Sequence, residues 1–512
     1  MARRLAGDHP VTTAGGTAAR LRAVPLAFLV VFFAVPVVGA FVRFARAGAI
    51  VDALGDPVLR PVAWFTLWQA AVCTALTLAV AMPLTWALSR RSVPGARTVT
   101  GIVTAPFLMP AVVVATGVAA IVPSRGIPAV IVAHVVFNVA VVVRTVGPRW
   151  SLLPTALEDA AADLGAGPWP TFTGVVWPAI RGSVVAAASL VFVFCWSSYA
   201  VVSVLGGTSV RTLETEVFTR AVRLGDVRSA VAVSVVQAFV VVAVLVVGGR
   251  RMPDDGAVHG TSADRPRGSV AATCLAWVTA AAVVSPVVAV AIRSVRRAGS
   301  WSLAGWRALF DGSLERVGVD TVAVLATSLR FALVTSVLAV ALALLAVSRP
   351  RPSIVERVSI LPLVVSAVTL GLGIVITFDR APVDWRARTW LLPVVHAVVA
   401  LPLVVRVIGP AVRSVDPALL DTAADLGAAP VRVRTQVEFP LLRGAIARAA
   451  GIAAAVSVGE FGATSFLTRS GSTTVPIAIA QLMGRPGPLL QQAAFALATL
   501  TAVVCAALLA RV

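Results

Sequence analysis

Long apolar segments alternate with short polar loops along the whole chain. Each apolar segment is close to or longer than the roughly 20 residues that a helix needs to cross a bilayer. The pattern predicts an all-α membrane protein with about 12 transmembrane helices. We expect the spans near residues 24–44, 63–88, 99–122, 127–147, 183–205, 229–248, 270–292, 319–347, 354–377, 389–412, 445–467 and 489–510.

The polar stretches between the spans suggest how the chain is divided. Residues 1–22 form a polar tail with several arginines, and residues 249–268 are the most polar stretch away from the termini. We interpret them as a cytoplasmic tail and a cytoplasmic linker. The linker would join a first domain of six spans, residues 23–248, to a second domain of six spans, residues 269–512.

One polar loop occurs twice, once in each half. The first copy reads Asp159-Ala-Ala-Ala-Asp-Leu-Gly165 and the second reads Asp421-Thr-Ala-Ala-Asp-Leu-Gly427. The copies are separated by 262 residues, the difference between 427 and 165, and the match continues without a gap into the flanking spans. Six spans in each half would place both loops on the same face of the membrane. The halves should therefore be related by rotation about the membrane normal, as a parallel repeat.

Each copy predicts two short helices joined by a turn. Thr155-Ala-Leu-Glu158 has the form of a capping box, and Asp416-Pro417 offers an N-cap followed by proline at the first helical position. Gly165 and Gly427 are expected to end the first helix with a positive φ angle. The proline three residues after each glycine would open the second helix.

Composition supports a membrane protein and excludes two other classes. The chain is 58% hydrophobic and only 13% charged, and its formal charge of +20 comes from arginines that lie mostly in loops beside apolar segments. This distribution is typical of membrane proteins, so we do not expect nucleic-acid binding. The sequence contains no lysine, which excludes an ATP-binding loop of the kind that needs a lysine. The distribution of arginines between the two faces of the membrane favours a cytoplasmic position for the repeated loops by only a small margin.

The sequence offers no pattern of catalytic or metal-binding residues. No acid–base pair, nucleophile triad or metal-ligand spacing is evident, so we predict no catalytic, cofactor-binding or metal-binding residues and no enzyme activity. The four cysteines, Cys73, Cys195, Cys274 and Cys505, lie far apart inside apolar segments. We interpret them as small apolar packing residues.

The repeated loop resembles a motif of inner-membrane permeases of binding-protein-dependent ABC importers, in which Glu-Ala-Ala is followed by glycine and a later proline. Two copies in one chain are similar to the fused branch that includes thiamine and ferric-iron importers. Asp159 and Asp421 replace the glutamate of that motif. The resemblance implies a multi-pass protein of the bacterial inner membrane that takes a small solute from an extracytoplasmic solute-binding protein.

In that family the loop is a coupling helix that docks into a groove of a cytoplasmic ATPase subunit. The resemblance therefore implies two ATP-binding subunits as partners, with ATP hydrolysis in those subunits and no cofactor in this chain. It assigns the coupling contact to Glu158, Asp159, Ala160, Ala161, Asp163, Leu164, Gly165, Pro178, Asp421, Ala423, Ala424, Asp425, Leu426, Gly427 and Pro440.

The sequence indicates the transported solute less clearly than it indicates the class of transporter. Leu67-Trp68-Gln69-Ala70 and Thr212-Leu213-Glu214 look like stretches of thiamine permeases, which favours thiamine, with ferric iron next. Gly459-Glu460-Phe461-Gly462-Ala463-Thr464 also resembles a segment of oxyanion permeases. A secondary transporter with internal repeats remains the alternative class, although it does not explain why a polar loop is the best-matched repeat.

Polar residues inside the fifth span of each half are candidates for the translocation path. Glu460 is an ionisable group in an apolar span, which is a functional candidate by default. It would suit a cationic solute, or it would pair with neighbouring groups to hold the structure together. Ser197, Ser198 and Tyr199 stand at the positions equivalent to Gly459, Glu460 and Phe461. His134 and His396 also match across the repeat, and we expect mirrored structural hydrogen bonds there.

Overall fold

The computed structural model describes residues 23–44, 47–207, 209–249, 269–297, 299–348, 352–380, 383–385, 388–469 and 471–509. The predicted tail and nearly all of the predicted linker lie outside these ranges. Helices dominate the described residues. The strands found there are two antiparallel two-residue hairpins, Arg296–Arg297 with Ser300–Trp301 and Asp379–Arg380 with Val383–Asp384.

Ten of the described helices are long and apolar enough to cross a membrane, and two further segments are bent pairs of shorter helices. The long helices are Ala23–Phe44, Leu59–Arg90, Ile127–Ser151, Pro168–Trp196, Val227–Gly248, Val270–Ser294, Thr321–Ala346, Leu391–Arg413, Pro430–Gly459 and Pro488–Leu508. The bent pairs are Ala96–Leu108 with Ala111–Ile121, at 104°, and Ile354–Leu363 with Ala367–Phe378, at 100°. We refer to the twelve segments as spans 1–12 in chain order, with the bent pairs as spans 3 and 9.

Hydrogen bonds between helix ends show that each bent pair crosses the membrane. At the end of span 2, Arg90 donates to the carbonyl of Leu153, just past the end of span 4, at 2.7 Å. In the second half Arg413, at the end of span 10, donates to the carbonyl of Ser348, just past the end of span 8, at 3.4 Å. Because both ends lie on one face, the bent pair between them must carry the chain across. With each bent pair counted as one span, each half has six candidate crossings, in agreement with the predicted parallel repeat.

Besides the two bent pairs, two further predicted spans are interrupted. Residues 183–205 were expected to form one helix, but span 5 ends at Trp196 and a new helix runs over Tyr199–Leu205. Residues 445–467 are likewise interrupted between Gly459 and Gly462. Both transmembrane helices are longer than predicted at their N-terminal ends, because spans 5 and 11 begin at the prolines of the repeated loops.

The second short helix of each loop is consequently not a separate element. In the first half, Pro168–Thr171 continues through a π-helical turn, Phe172–Val176, into the transmembrane helix. The second half has the same arrangement over Pro430–Arg432 and Val433–Glu438. A π-turn absorbs an extra residue without ending the helix. Each loop is therefore rigidly joined to a span.

The first span of each half packs against the broken span of the other half. A Cβ placed on Gly117 in span 3 would lie 2.3 Å from the carbonyl oxygen of Pro286 in span 7. A Cβ on Gly373 in span 9 would lie 2.7 Å from the carbonyl oxygen of Pro36 in span 1. Glycine is required at such close backbone contacts, as at many helix interfaces in membranes. The hydrophobic core is continuous through this interface.

Equivalent hydrogen bonds occur at equivalent places in the two halves. The backbone N–H of Leu213 donates to the hydroxyl of Thr66 at 3.0 Å, and that of Val475 donates to the hydroxyl of Ser328 at 2.9 Å. Leu213 and Val475 are 262 positions apart, and so are Thr66 and Ser328. The sequence repeat is thus a structural repeat at the level of individual bonds.

Candidate functional site

The two repeated loops have nearly identical backbones. Their first helices are Thr155–Asp163 and Pro417–Asp425, and each is followed by a glycine of positive φ, 82° at Gly165 and 81° at Gly427. The amide of Ala166 donates to the carbonyl of Ala161 at 2.9 Å, which is the bond pattern of a Schellman motif. The prediction of positive-φ turns is confirmed in both copies.

The caps at the start of these helices differ between the copies. Asp416 accepts a hydrogen bond from the amide of Ala418 at 2.9 Å and precedes a proline at the first position, as predicted. The predicted capping box at Thr155 is wrong, because Thr155 already lies inside the helix and Pro154 is the N-cap. Glu158 instead forms a 2.6 Å ion pair with Arg90, whose buried guanidinium extends from the end of span 2.

The outer surface of both loop helices is open. No residue of either helix is buried, although each copy carries apolar side chains. Leu164 and Leu426, at equivalent positions, are 89% and 83% exposed. The two loops therefore expose the same apolar side chain at the same position. The predicted coupling residues Glu158, Asp159, Ala160, Ala161, Asp163, Leu164, Gly165, Asp421, Ala423, Ala424, Asp425, Leu426 and Gly427 lie on this surface, with Pro178 and Pro440 exposed at the base of the following spans.

A cavity of about 440 Å³ lies between the two halves, where four interrupted helices converge. Its wall includes the corners of the broken spans, near Pro110 and Ala367, and the interruptions after Trp196 and Gly459. Interrupted helices at membrane depth are found where they line a cavity, because their free backbone groups need partners. The predicted path residues Ser197, Ser198, Tyr199, Glu460 and Phe461 all line this cavity.

Glu460 caps the short helix that follows the interruption in span 11. Its carboxylate accepts hydrogen bonds from the backbone amides of Ala463 and Thr464, both at 2.8 Å, and from the hydroxyl of Thr464. The Nε2 atom of His396 lies 3.4 Å from the same carboxylate. Glu460 therefore has the structural partners of a helix cap, and it also borders the cavity.

The two matched histidines are both buried, but their partners differ. His396 contacts the hydroxyls of Ser457 and Thr464, each at 2.9 Å. His134 contacts the side-chain amide of Gln69 at 2.9 Å and the sulfur of Cys73 at 3.8 Å. Both histidines thus bind neighbouring side chains, although the mirrored positions do not have mirrored chemistry.

Several aromatic rings lie in the cavity wall. The rings of Tyr199 and Phe461, from opposite halves, stack with centroids 5.4 Å apart and planes at 24°. Phe107, at the corner of span 3, packs against Phe137 and Phe194 at centroid distances of 5.3 and 5.9 Å. The largely apolar wall therefore includes five Phe and Tyr rings, with Glu460 as the carboxylate among its described residues.

The sequence did not indicate several residues that contact the loops and the buried histidines from distant parts of the chain. Arg90 was not expected to contact the first loop, because 68 residues separate it from Glu158. Gln69 and Asn138, both fully buried, were not among the expected site residues. The available signal was a polar side chain within an apolar span, which is costly and therefore informative.

Comparison with known proteins agrees with this geometry. Residues 79–251 match the family of the binding-protein-dependent transport system inner membrane component. The structural repeat extends the same architecture to the second half. Residues 79–251 therefore resemble the permeases of binding-protein-dependent importers, and the structural repeat gives the chain the form of two such domains fused. The chain is a transport subunit of the bacterial inner membrane.

The chain is similar to several characterised permeases over most of its length. The thiamine transport system permease protein ThiP of Brucella abortus (strain 2308) is 26% identical over 517 residues, which cover 94% of this chain and 92% of the relative. The protein of the same name from Escherichia coli (strain K12) is 23% identical, with 84% of each chain covered. That from Salmonella typhimurium is also 23% identical, with 86% of each chain covered.

Proposed function

We propose that this permease imports thiamine, which an extracytoplasmic binding protein delivers to the cavity between the two halves. The relatives named as thiamine permeases match over 84–94% of the chain. The observation that carries the proposal is the cavity itself. Its volume of about 440 Å³ lies within the range of about 300–1,000 Å³ common for small-molecule sites.

The cavity wall suits a flat organic cation. Tyr199 and Phe461 are among the aromatic residues that line it, and aromatic rings attract cationic and aromatic groups. Glu460 places a carboxylate beside them. Thiamine combines aromatic rings with a fixed positive charge, so both features favour it. Ferric iron is a hard cation that favours several oxygen ligands, and Glu460 is the one carboxylate among the described residues of the wall.

Thiamine uptake into cells tests the solute. The chain, together with its ATPase and binding protein, is expressed in a thiamine auxotroph that lacks its own importer. We expect growth on limiting thiamine and uptake of labelled thiamine that excess unlabelled thiamine competes away. Ferric iron and 2-aminoethylphosphonate serve as comparison solutes. Uptake of either one in place of thiamine would refute the proposal.

The repeated loops serve as coupling helices for two cytoplasmic ATP-binding subunits, which carry out ATP hydrolysis. The exposed leucines Leu164 and Leu426 support this assignment, because each loop offers one apolar contact of the helix-in-groove type. Each permease domain, residues 23–248 and 269–512, would bind one subunit, with the linker 249–268 in the cytoplasm. Native mass spectrometry of the gently extracted complex should give two ATPase copies per chain. One copy, or none, would contradict the assignment.

A further inference from the structure

Three potential metal ligands from three different spans meet inside the first half. The Sγ atoms of Cys73 and Cys195 and a ring nitrogen of His134 all lie within 4.8 Å of one another, and all three residues are buried. Cys73 belongs to span 2, His134 to span 4 and Cys195 to span 5. The cysteines are 122 positions apart, the difference between 195 and 73, so no local spacing in the sequence indicates this cluster.

The Nδ1 atom of His134 lies beside the side chains of Gln69 and Cys73. The side-chain amide nitrogen of Gln69 lies 2.9 Å from Nδ1, and an amide nitrogen can only donate, so Nδ1 accepts. The Nδ1 atom is also 3.8 Å from the sulfur of Cys73. Zinc–sulfur and zinc–nitrogen bonds of about 2.3 and 2.0–2.1 Å place tetrahedral ligands roughly 3.5–3.8 Å apart. The observed separation fits that geometry.

Side-chain amides surround the cluster. Gln69 donates to the sulfur of Cys73 at 3.3 Å, and Asn138 donates to the sulfur of Cys195 at 3.6 Å. Hydrogen bonds to sulfur stabilise a thiolate and orient it, as outer partners of metal sites do. The carbonyl oxygens of Gln69 and Asn138 are buried and have no hydrogen-bond partner among the described residues. Rotation of one of these amides, with loss of its own hydrogen bond to sulfur, would present its oxygen as a fourth ligand.

We propose that Cys73, His134 and Cys195 form a binding site for one thiophilic divalent cation, with Zn²⁺ as the first candidate. Two thiolates balance the charge of a divalent ion, so the loaded site is neutral, as a low-dielectric interior requires. His134 and Asn138 also line the cavity, which gives the ion a route into the site. Cys195 lies just before the interruption in span 5, so the ion would fasten that interruption to spans 2 and 4.

The second half provides an internal comparison. Thr335, His396 and Ser457 occupy the positions equivalent to Cys73, His134 and Cys195. There Ser457 contacts His396 at 2.9 Å, and Thr335 donates to the carbonyl of Pro393 at 3.0 Å. Neutral hydroxyls replace the thiols, so this half lacks the soft ligands that hold zinc. One ion per chain is expected.

Cobalt binding to the purified chain tests the site without any transport assay. The full-length chain, prepared without a polyhistidine tag and reduced before use, is titrated with Co²⁺ as a spectroscopic substitute for Zn²⁺. We expect one equivalent to bind, with thiolate-to-cobalt charge-transfer absorption and the visible bands of a tetrahedral site. Addition of Zn²⁺ should abolish the spectrum. Reduced wild-type chain with no charge-transfer absorption would overturn the proposal, whatever the variants do.

Serine variants identify the ligands. Cys73→Ser and Cys195→Ser should each weaken cobalt affinity at least tenfold and reduce the charge-transfer intensity. Cys505→Ser, which changes a buried cysteine outside the cluster, should leave both unchanged. Melting temperature in detergent shows whether each variant is folded. Unchanged cobalt spectra in both cluster variants would refute the assignment. The assignment is also refuted if Cys73 and Cys195 are found joined by a disulfide and the chain, after reduction of that disulfide, does not bind metal.

Discussion

The carboxylate of Glu460 caps a helix and also carries a charge beside the cavity, and the two roles can be tested separately. Two backbone amides of the helix Gly462–Leu467 depend on it, because the first N–H groups of a helix have no partner within the helix. The same residue borders the cavity. Its counterpart in the first half, Ser198, also borders the cavity but carries no charge.

Replacement of Glu460 by glutamine and by alanine should have different effects. Glutamine keeps one acceptor oxygen and loses the charge, so Glu460→Gln should lower thiamine uptake and cost less stability than alanine. Glu460→Ala leaves two buried amides without acceptors, at a cost of about 1–3 kcal/mol. Thermal unfolding in detergent and thiamine-stimulated ATP hydrolysis measure the two effects. Ser198→Ala is the uncharged control, and normal transport by Glu460→Gln would show that the charge is dispensable.

Arg90 is the link between the end of span 2 and the first loop helix. It donates to the carbonyl of Leu153 at 2.7 Å and pairs with Glu158 at 2.6 Å, so Arg90→Met should release that helix. We expect solute-stimulated ATP hydrolysis to fall several-fold and stability to fall by about 1–3 kcal/mol. Glu158→Gln, which can still accept from Arg90, should be milder. Arg91→Met is the control, because Arg91 lies over the ring of Trp86 instead. Equal results for Arg90→Met and Arg91→Met would contradict this role.

At the scale of helices, hydropathy predicted where apolar segments lie but not where they break. A span needs only a sufficient length of apolar residues, and all twelve segments satisfy that condition. A break depends on single residues: Pro110 marks the corner of span 3, and Glu460 marks the interruption of span 11. The pairing of Arg90 with Glu158 and the Cys73–His134–Cys195 cluster depend on how spans pack. No local pattern in the sequence carries that information.

The turn glycines of the two loops allow a clean test of backbone strain. A Cβ on Gly165 or Gly427 would meet no atom within 4 Å, so a substitution acts only through the positive φ angle. A β-branched residue tolerates that angle worse than alanine. Gly165→Val and Gly427→Val should therefore lower transport more than the alanine variants, while all four proteins reach the membrane. Uptake assays with quantified membrane protein provide the comparison. Normal uptake by both valine variants would show that the turn geometry is not needed.

At the scale of the whole molecule, the two halves are joined by exchange of their first spans. Span 7 contacts span 3 at Gly117, and span 1 contacts span 9 at Gly373. Each half therefore depends on the other for the packing of its broken span, whose corner lines the cavity. Since both loops emerge on one face, movement imposed at that face would reach the cavity through rigid spans and this shared interface.

Two glycines of span 3 should respond in opposite ways to the same substitution. A methyl group at Gly117 would lie 2.3 Å from the carbonyl oxygen of Pro286, so Gly117→Ala forces the halves apart. We expect a loss of about 1–3 kcal/mol, the usual cost of overpacking. Gly101 has open space around its Cβ position, so Gly101→Ala should be neutral or stabilise the helix by up to about 1 kcal/mol. Thermal unfolding of both variants in one detergent compares them directly. Equal shifts would mean that the Gly117–Pro286 contact does not join the halves.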